Sequence, residues 1–313
     1  MNKRLMFSAA LVMVLLSANA QKRAFTIEDL YRVKGLSSVS LSPDGKTVCY
    51  TASSSDLKNQ KSGSDIYIMN ADGSHTKALT EDGKSSSAVW SKDGKSIFFT
   101  NYEKGTAQIF RMDLTTCETE QVTDYELGIG SPVISPDERY IAFTAEVYPD
   151  LGADAKANKA RMEKKEQGPV QAHIADKLLY RHWTSYNDGR CNHLILFDTQ
   201  TKTYKDLTPG NYSLIFVVGG GITYQFSPDS KEICFVSNHN EHQEASTNAD
   251  LWTVSVNGGE PVCITKENKA WMVLQPIRLT ASISLTACSK CLVMSLIASV
   301  LLSTTGLQRS LPS

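Results

Sequence analysis

Ser42-Pro-Asp-Gly-Lys46, Ser91-Lys-Asp-Gly-Lys95, Ser135-Pro-Asp-Glu-Arg139 and Ser227-Pro-Asp-Ser-Lys231 are four spellings of one short unit. An apolar or aromatic residue precedes each copy: Leu41, Trp90, Ile134 and Phe226. A large apolar pair follows each motif Asp, as Val48/Tyr50, Ile97/Phe99, Ile141/Phe143 and Ile233/Phe235. Apolar residues two apart place one face of a strand in a core. The unit between the apolar residues is turn chemistry: Pro sets φ, Ser and Asp bond nearby amides, and Gly accepts a positive φ. Each copy therefore predicts strand, tight turn, strand.

The spacing extends the pattern from hairpin to blade. The motif Asp residues stand at 44, 93, 137 and 229, so the gaps are 49, 44 and 92 residues. Four-stranded propeller blades recur at about 40–50 residues, and the last gap is one blade plus an insertion. A second motif recurs in phase with the first. Asp65-Ile-Tyr-Ile-Met69, Gln108-Ile-Phe-Arg-Met112, His193-Leu-Ile-Leu-Phe197 and Asp250-Leu-Trp-Thr-Val254 predict the third strand of each blade. Turn residues follow, and short return strands end near Leu79-Thr80, Val122-Thr123, Leu207-Thr208 and Ile264-Thr265. The expected fold is all-β: a partial β-propeller of about four blades, each of four antiparallel strands, over residues 21–271. An open β-sandwich also has regular short strands, but two motifs recurring in phase favour the propeller.

The insertion in the third blade, about residues 146–188, differs in texture. Ala153 to Glu166 is rich in Ala and Lys and lacks an apolar stripe, which predicts a solvated helix or loop. Leu178 to Gly189 is aromatic and charged, and Arg181, His182, Trp183 and Tyr186 are the candidate substrate or interdomain contacts. The alternative is that the aromatic rings only pack the insertion onto the blade. Upstream, Thr26-Ile-Glu-Asp29-Leu30 predicts a short capped helix, with Thr26 accepting amide bonds.

Positive charge at Asn2-Lys-Arg4, an apolar run from Leu5 to Leu16 and a small-residue site at Ala18-Asn-Ala20 predict a signal peptide over residues 1–20. Cleavage between Ala20 and Gln21 would deliver an exported, periplasmic or secreted protein. The formal net charge of −1 offers no basic field for nucleic acid. Cys49, Cys117, Cys191, Cys234 and Cys263 form no metal-type spacing among themselves and are expected to be small apolar residues. Neither a metal nor a cofactor is expected. The six His residues stand on repeat elements, loops or the insertion, where packing or surface roles are the default.

The signal peptide, the T-I-E-D-L opening, the S-P-D-G hairpins and Arg181-His-Trp-Thr-Ser-Tyr-Asn-Asp-Gly189 followed by His193-Leu-Ile-Leu-Phe-Asp198 carry a resemblance. Residues 24–271 resemble the N-terminal half of the bacterial dipeptidyl-peptidase V group, in the acylaminoacyl-peptidase branch of the prolyl oligopeptidase family. The resemblance implies a propeller that gates a C-terminal α/β-hydrolase, which removes dipeptides from short peptides with a Ser-Asp-His triad. No G-x-S-x-G nucleophile turn occurs in the 313 residues, so no catalytic residue is assigned. The expected role is that of the substrate-gating propeller, inactive alone. A non-catalytic, TolB-like periplasmic propeller that binds a protein partner is the alternative.

From Met272 onward the text changes: no Asp or Glu, and no Gly before Gly306. Adding one nucleotide after the Trp271 codon lets the following codons spell D-G-S-P-(T/A)-Y-S-P-D-G-K-Y-I-A-Y-R. The restored motif Asp would stand at position 280, one blade beyond Asp229. Residues 272–313 are therefore expected to be an out-of-frame tail. The apolar run Cys291–Leu302 is 12 residues, short of the roughly 20 a membrane helix needs, so no stable membrane span is expected.

Overall fold

The four S-x-D turns build the same bonds four times. In the first, the Ser42 hydroxyl donates to Asp44 Oδ1 at 2.6 Å and accepts the Thr47 N–H at 2.9 Å, while Asp44 Oδ1 also accepts the Lys46 N–H at 3.1 Å. Ser91/Asp93, Ser135/Asp137 and Ser227/Asp229 repeat the arrangement. The fourth turn residue has positive φ in every copy: Gly45 at 73°, Gly94 at 70°, Glu138 at 61° and Ser230 at 60°. Gly reaches that region freely, and Glu and Ser enter it at a small energetic cost.

The computed structural model describes residues 23–266, apart from 104, 176, 177, 179, 183, 215–223, 241 and 247. The signal peptide and the tail beyond Trp271 lie outside the described residues. A helix α1 (Ile27–Arg32) leads into four four-stranded antiparallel sheets. The first holds β1 (Gly35–Leu41), β2 (Thr47–Asp56), β3 (Lys61–Asn70) and β4 (Lys77–Ala78). The second holds β5 (Ser85–Trp90), β6 (Ser96–Asn101), β7 (Gln108–Asp113) and β8 (Thr119–Gln121).

In the third, β9 (Gly130–Ile134) and β10 (Tyr140–Val147) open the blade, and helix α2 (Ala155–Glu166) begins the insertion. A two-residue ribbon follows, β11 (Arg181–His182) against β12 (Ser185–Tyr186). The sheet then resumes as β13 (Cys191–Asp198) and β14 (Thr203–Asp206). The fourth holds β15 (Tyr224–Phe226), β16 (Glu232–Ser237), β17 (Asp250–Ser255) and β18 (Val262–Cys263). Strands are thus paired in chain order within each blade, the meander of a propeller.

Each blade closes with one threonine. The hydroxyls of Thr80, Thr123, Thr208 and Thr265 accept the N–H of Ile66, Ile109, Leu194 and Leu251, each at 2.9 Å. The Leu-Thr and Ile-Thr endings legible in the sequence are these clasps, tying the return connection to the third strand.

Three cores lie between successive blades rather than within any one. Ile97 and Phe99 of the second blade meet Cys49 and Ile66 of the first. Ile141 and Phe143 of the third meet Phe98 and Ile109 of the second. Ile233 and Phe235 of the fourth meet Ala142 and Leu194 of the third. The apolar pair therefore always faces the preceding blade, and the alternate residues face the following one. The first blade corrects the expectation that every pair is core. Val48 and Tyr50 are only half-buried because no described blade precedes them, whereas Cys49 between them is fully buried against the second blade.

The inner strands share a second device. Register breaks fall at Ser37/Ser40 and Ser86/Val89, and again opposite the third blade's inner strand at Ala142/Thr144. Beside them Ser38, Ser87 and Ser131 have φ of 51°, 56° and 46°. These are β-bulges in the same place in three blades. At α1 the bonding differs from expectation. The Asp29 carboxylate accepts from the Thr26 N–H at 2.9 Å and its hydroxyl at 3.3 Å, so the side chain reaching back is that of Asp29.

Candidate functional site

The insertion joins β10 to β13, so it emerges from the end of the blade opposite the S-x-D turns. Its root is held by one polar side chain in α2. Asn158 is fully buried. Its Oδ1 accepts the Tyr148 N–H at 2.7 Å, and its Nδ2 donates to the carbonyls of Gly152 at 3.0 Å and Asp154 at 2.8 Å. Asp154 caps the helix by accepting the Ala157 N–H at 3.0 Å. The expected helix is present, and its lack of an apolar stripe is explained: a buried amide, rather than a hydrophobic face, anchors it.

A charged network ties the ribbon to this root. Arg190 Nε donates to Asp188 Oδ1 at 2.9 Å, and its Nη1 lies 3.2 Å from Glu146 Oε2. The Tyr148 hydroxyl donates to Asp188 Oδ2 at 3.1 Å, and Lys165 Nζ donates to the Asp188 carbonyl at 3.3 Å. Burial resists charge on Asp188, yet the Arg190 and Tyr148 bonds outweigh it and hold the carboxyl below its ordinary range. Arg161 pairs with Asp150 through two bonds of 2.8 and 2.7 Å, and its guanidinium lies over the Tyr148 ring at 4.7 Å.

On this root stands the ribbon. Arg181 pairs with Tyr186, and His182 with Ser185, while the Asn187 N–H returns to the Tyr180 carbonyl at 2.8 Å. The Tyr186 ring stacks on His173 at 4.2 Å and 7°, yet Tyr186 remains 44% exposed and Tyr180 49% exposed. Arg181 is exposed and makes no hydrogen bond or ion pair among the described residues. Of the four sequence candidates, Arg181 and Tyr186 are thus brought opposite one another, His182 is placed by its backbone pairing, and Trp183 lies outside the described residues. Asn158, Asp188, Arg190 and Tyr148 were not singled out in the sequence. An Asn amid a run of strong helix formers is the one signal that marked Asn158.

A second polar centre sits where the third blade passes to the fourth. His193 is fully buried, with Nδ1 2.7 Å from Asp206 Oδ2 and Nε2 2.9 Å from the Gly210 carbonyl. Both partners are acceptors, so both ring nitrogens donate and the imidazole is cationic. Burial opposes that charge, but the Asp206 bond and the other acceptors prevail and push the pKa up to about 9. Its geometry assigns it to packing: neither nitrogen is left for substrate. His239 shows the reverse balance, wedged between the rings of Tyr212 at 3.6 Å and Trp252 at 3.9 Å, where burial lowers its pKa to about 4 despite Asp250.

Among the described residues no group of three or more His, Cys, Asp or Glu could hold a metal ion, and no helix is long and apolar enough to cross a membrane. All five cysteines of the repeat region are free thiols.

Comparison with known proteins follows this division of the chain. Residues 18–166 match the TolB beta propeller domain, and residues 153–294 match the dipeptidyl peptidase IV N-terminal region, so the two overlap across α2. Dipeptidyl-peptidase 5 of Porphyromonas gingivalis is 29% identical over 231 residues, covering 72% of this chain and 33% of that protein. Its counterpart in Porphyromonas endodontalis is 25% identical over 254 residues, covering 79% and 36%. The chain thus spans about a third of the length of these curated relatives. Acylaminoacyl peptidase of Pyrococcus horikoshii shares the fold with a TM-score of 0.53 at 17% identity, over 75% of this chain and 33% of that one. With its in-phase blade motifs, four antiparallel sheets and these matches, the chain belongs to the prolyl oligopeptidase family, as the N-terminal propeller portion of a dipeptidyl peptidase.

Proposed function

We propose that this propeller is the access domain of an exported serine dipeptidyl-peptidase acting on short peptides, and that the Arg181–Tyr186 ribbon meets the peptide or the hydrolase. The observation that carries this reading is the ribbon itself: an unpaired guanidinium opposite an exposed aromatic ring, raised on a rigidly bonded root. An Arg offers a planar fork to a carboxylate, and an aromatic face offers apolar area to a side chain. Amide hydrolysis itself needs an activated nucleophile, and the 313 residues contain no G-x-S-x-G turn to present one. The purified chain is accordingly expected to release no dipeptidyl reporter; turnover blocked by a serine-directed phosphonate would overturn that.

The ribbon is tested by NMR titration with peptides of two to six residues. Shifts at Arg181 and Tyr186 that vanish in Arg181→Ala support the access role. Unmoved ribbon signals, with a folded periplasmic protein bound instead, would favour the TolB-like partner-binding reading, which the match over residues 18–166 keeps open. Export rests on the N-terminal signal and is checked by the start of the mature protein at Gln21. The tail reading is checked by tryptic mass spectrometry. Recovery of Leu279–Lys290 shows that the out-of-frame text is translated, while D-G-S-P-x-Y-S-P-D-G-K shows that the blade frame is.

A further inference from the structure

Every junction in the molecule is made the same way, which defines what an uncovered face requires. At each of the three, the apolar pair of one blade is shut against the reverse face of the blade before it. Ile97, Ile141, Phe143, Ile233 and Phe235 are 0% exposed and Phe99 2%. The reverse faces that cover them use equivalent positions: Cys49 and Ile66, then Phe98 and Ile109, then Ala142 and Leu194. Two faces are left over among the described residues.

The first is the pair face of the first blade. Leu36 is 67% exposed and Leu41 52%, beside half-buried Val48, Tyr50, Tyr67 and Met69. Register places Leu41 opposite Val48, Val48 opposite Met69, and Tyr50 opposite Tyr67, so these residues share one face. Tyr50 and Tyr67 stack at 5.6 Å and 15°, forming a flat aromatic plate. The second is the reverse face of the fourth blade. Cys234 and Leu251 hold the positions of Cys49 and Ile66 there, and both are half-buried, with Thr253 alongside. Burial pushes the Cys234 thiol up to about 11, as it pushes Cys49 to about 12, so both are small apolar knobs rather than reactive groups.

The two spare faces are the two halves of one junction. A single chain cannot bring its own ends together, since the fourth blade's reverse face points away from the third. A second copy supplies both halves at once. We propose that two copies of this chain associate head to tail, the first blade of each on the fourth blade of the other, forming a two-fold ring of eight blades. Eight lies within the four to eight blades that propellers close with. A head-to-tail contact whose rotation closes gives a finite ring instead of a filament.

Light scattering after gel filtration and native mass spectrometry over a dilution series of the whole chain read the outcome. A dimer is expected. Tyr50→Glu on the first blade and Thr253→Arg on the fourth should each weaken it at least tenfold, with circular dichroism confirming that both variants keep their sheets. Mixing the two variants supplies the decisive readout. A mixed pair retains one sound junction out of two, so partial reassociation is expected from the mixture and from neither variant alone. A monodisperse wild-type monomer would overturn the proposal. So would an open-ended polymer, a dimer indifferent to both substitutions, or a mixture that shows no rescue.

Discussion

The two ends of the third blade are built on opposite principles. At the turn end, Ser135, Asp137 and Arg139 repeat bonds found in three other blades. At the insertion end, Asn158, Asp188 and Arg190 make bonds found nowhere else among the described residues. The turns hold through local bonds between residues at most five apart in sequence, so one defect stays local. The insertion holds through contacts 10 to 28 residues apart, where one side chain fixes several others. Repetition supplies the scaffold; the singular contacts give the blade its own face.

Substitutions of graded severity should expose that difference. The largest effect is expected at His193, whose removal strands the Asp206 carboxylate beside it. His193→Leu should cost about 3–5 kcal/mol in a denaturant melt, as loss of one partner of a buried ion pair does. The pH dependence has a definite sign. The folded pKa, about 9, stands above the ordinary 6.5, so the stabilisation is complete below about pH 6.5 and lost as pH rises through 9. Wild type should weaken across that window and His193→Leu should not; parallel curves would break the assignment.

Asn158→Ala comes next. It leaves the Tyr148 amide and two carbonyls without partners, at roughly 1–3 kcal/mol for each buried group left unpaired. The effect should be confined to the insertion, with α2 losing amide-exchange protection while the four turns keep theirs. Loss of protection in the second blade would show that the root is coupled more widely than its bonds.

The turn end should respond least. Gly45→Ala forces φ of 73° on a residue with a Cβ, although the space around it is open, so strain alone acts at about 1 kcal/mol. Glu138→Gly, at φ of 61°, trades relief of strain against loss of its bond to the Lys92 N–H and should stay within about 0.5 kcal/mol. Equal and large losses from both would mean that the turns are not independent units.

The same contrast explains what the sequence revealed. The blades were legible because each is written in two motifs that recur in phase, and even the threonine clasps surfaced as Leu-Thr and Ile-Thr endings. The half-buried Val48 and Tyr50 were not legible, since a residue's neighbour across a junction is set by the presence of another blade and not by its own strand. The root of the insertion was hidden for a related reason. Asp188 and Arg190 look like ordinary surface charges, and only the fold brings Tyr148 and Glu146 beside them. Arg181 and Tyr186 were found because aromatic and cationic residues crowd a segment that needs neither for a blade.

The fourth letter of the turn motif has a mechanical consequence. At the second-to-third junction the Lys92 N–H bonds the Glu138 carboxylate, and at the third-to-fourth the Asp137 N–H bonds the Ser230 hydroxyl at 3.1 Å. At the first-to-second junction that letter is Gly94, which has no side chain to offer, and an open cleft lies there between Leu41, Pro43, Val89 and Trp90. Blades stitched at their rims share a load, and an unstitched rim concentrates it. Pulled along the chain in an optical trap, the molecule should tear first at that cleft, peeling the first blade away while the other three come apart later as one piece.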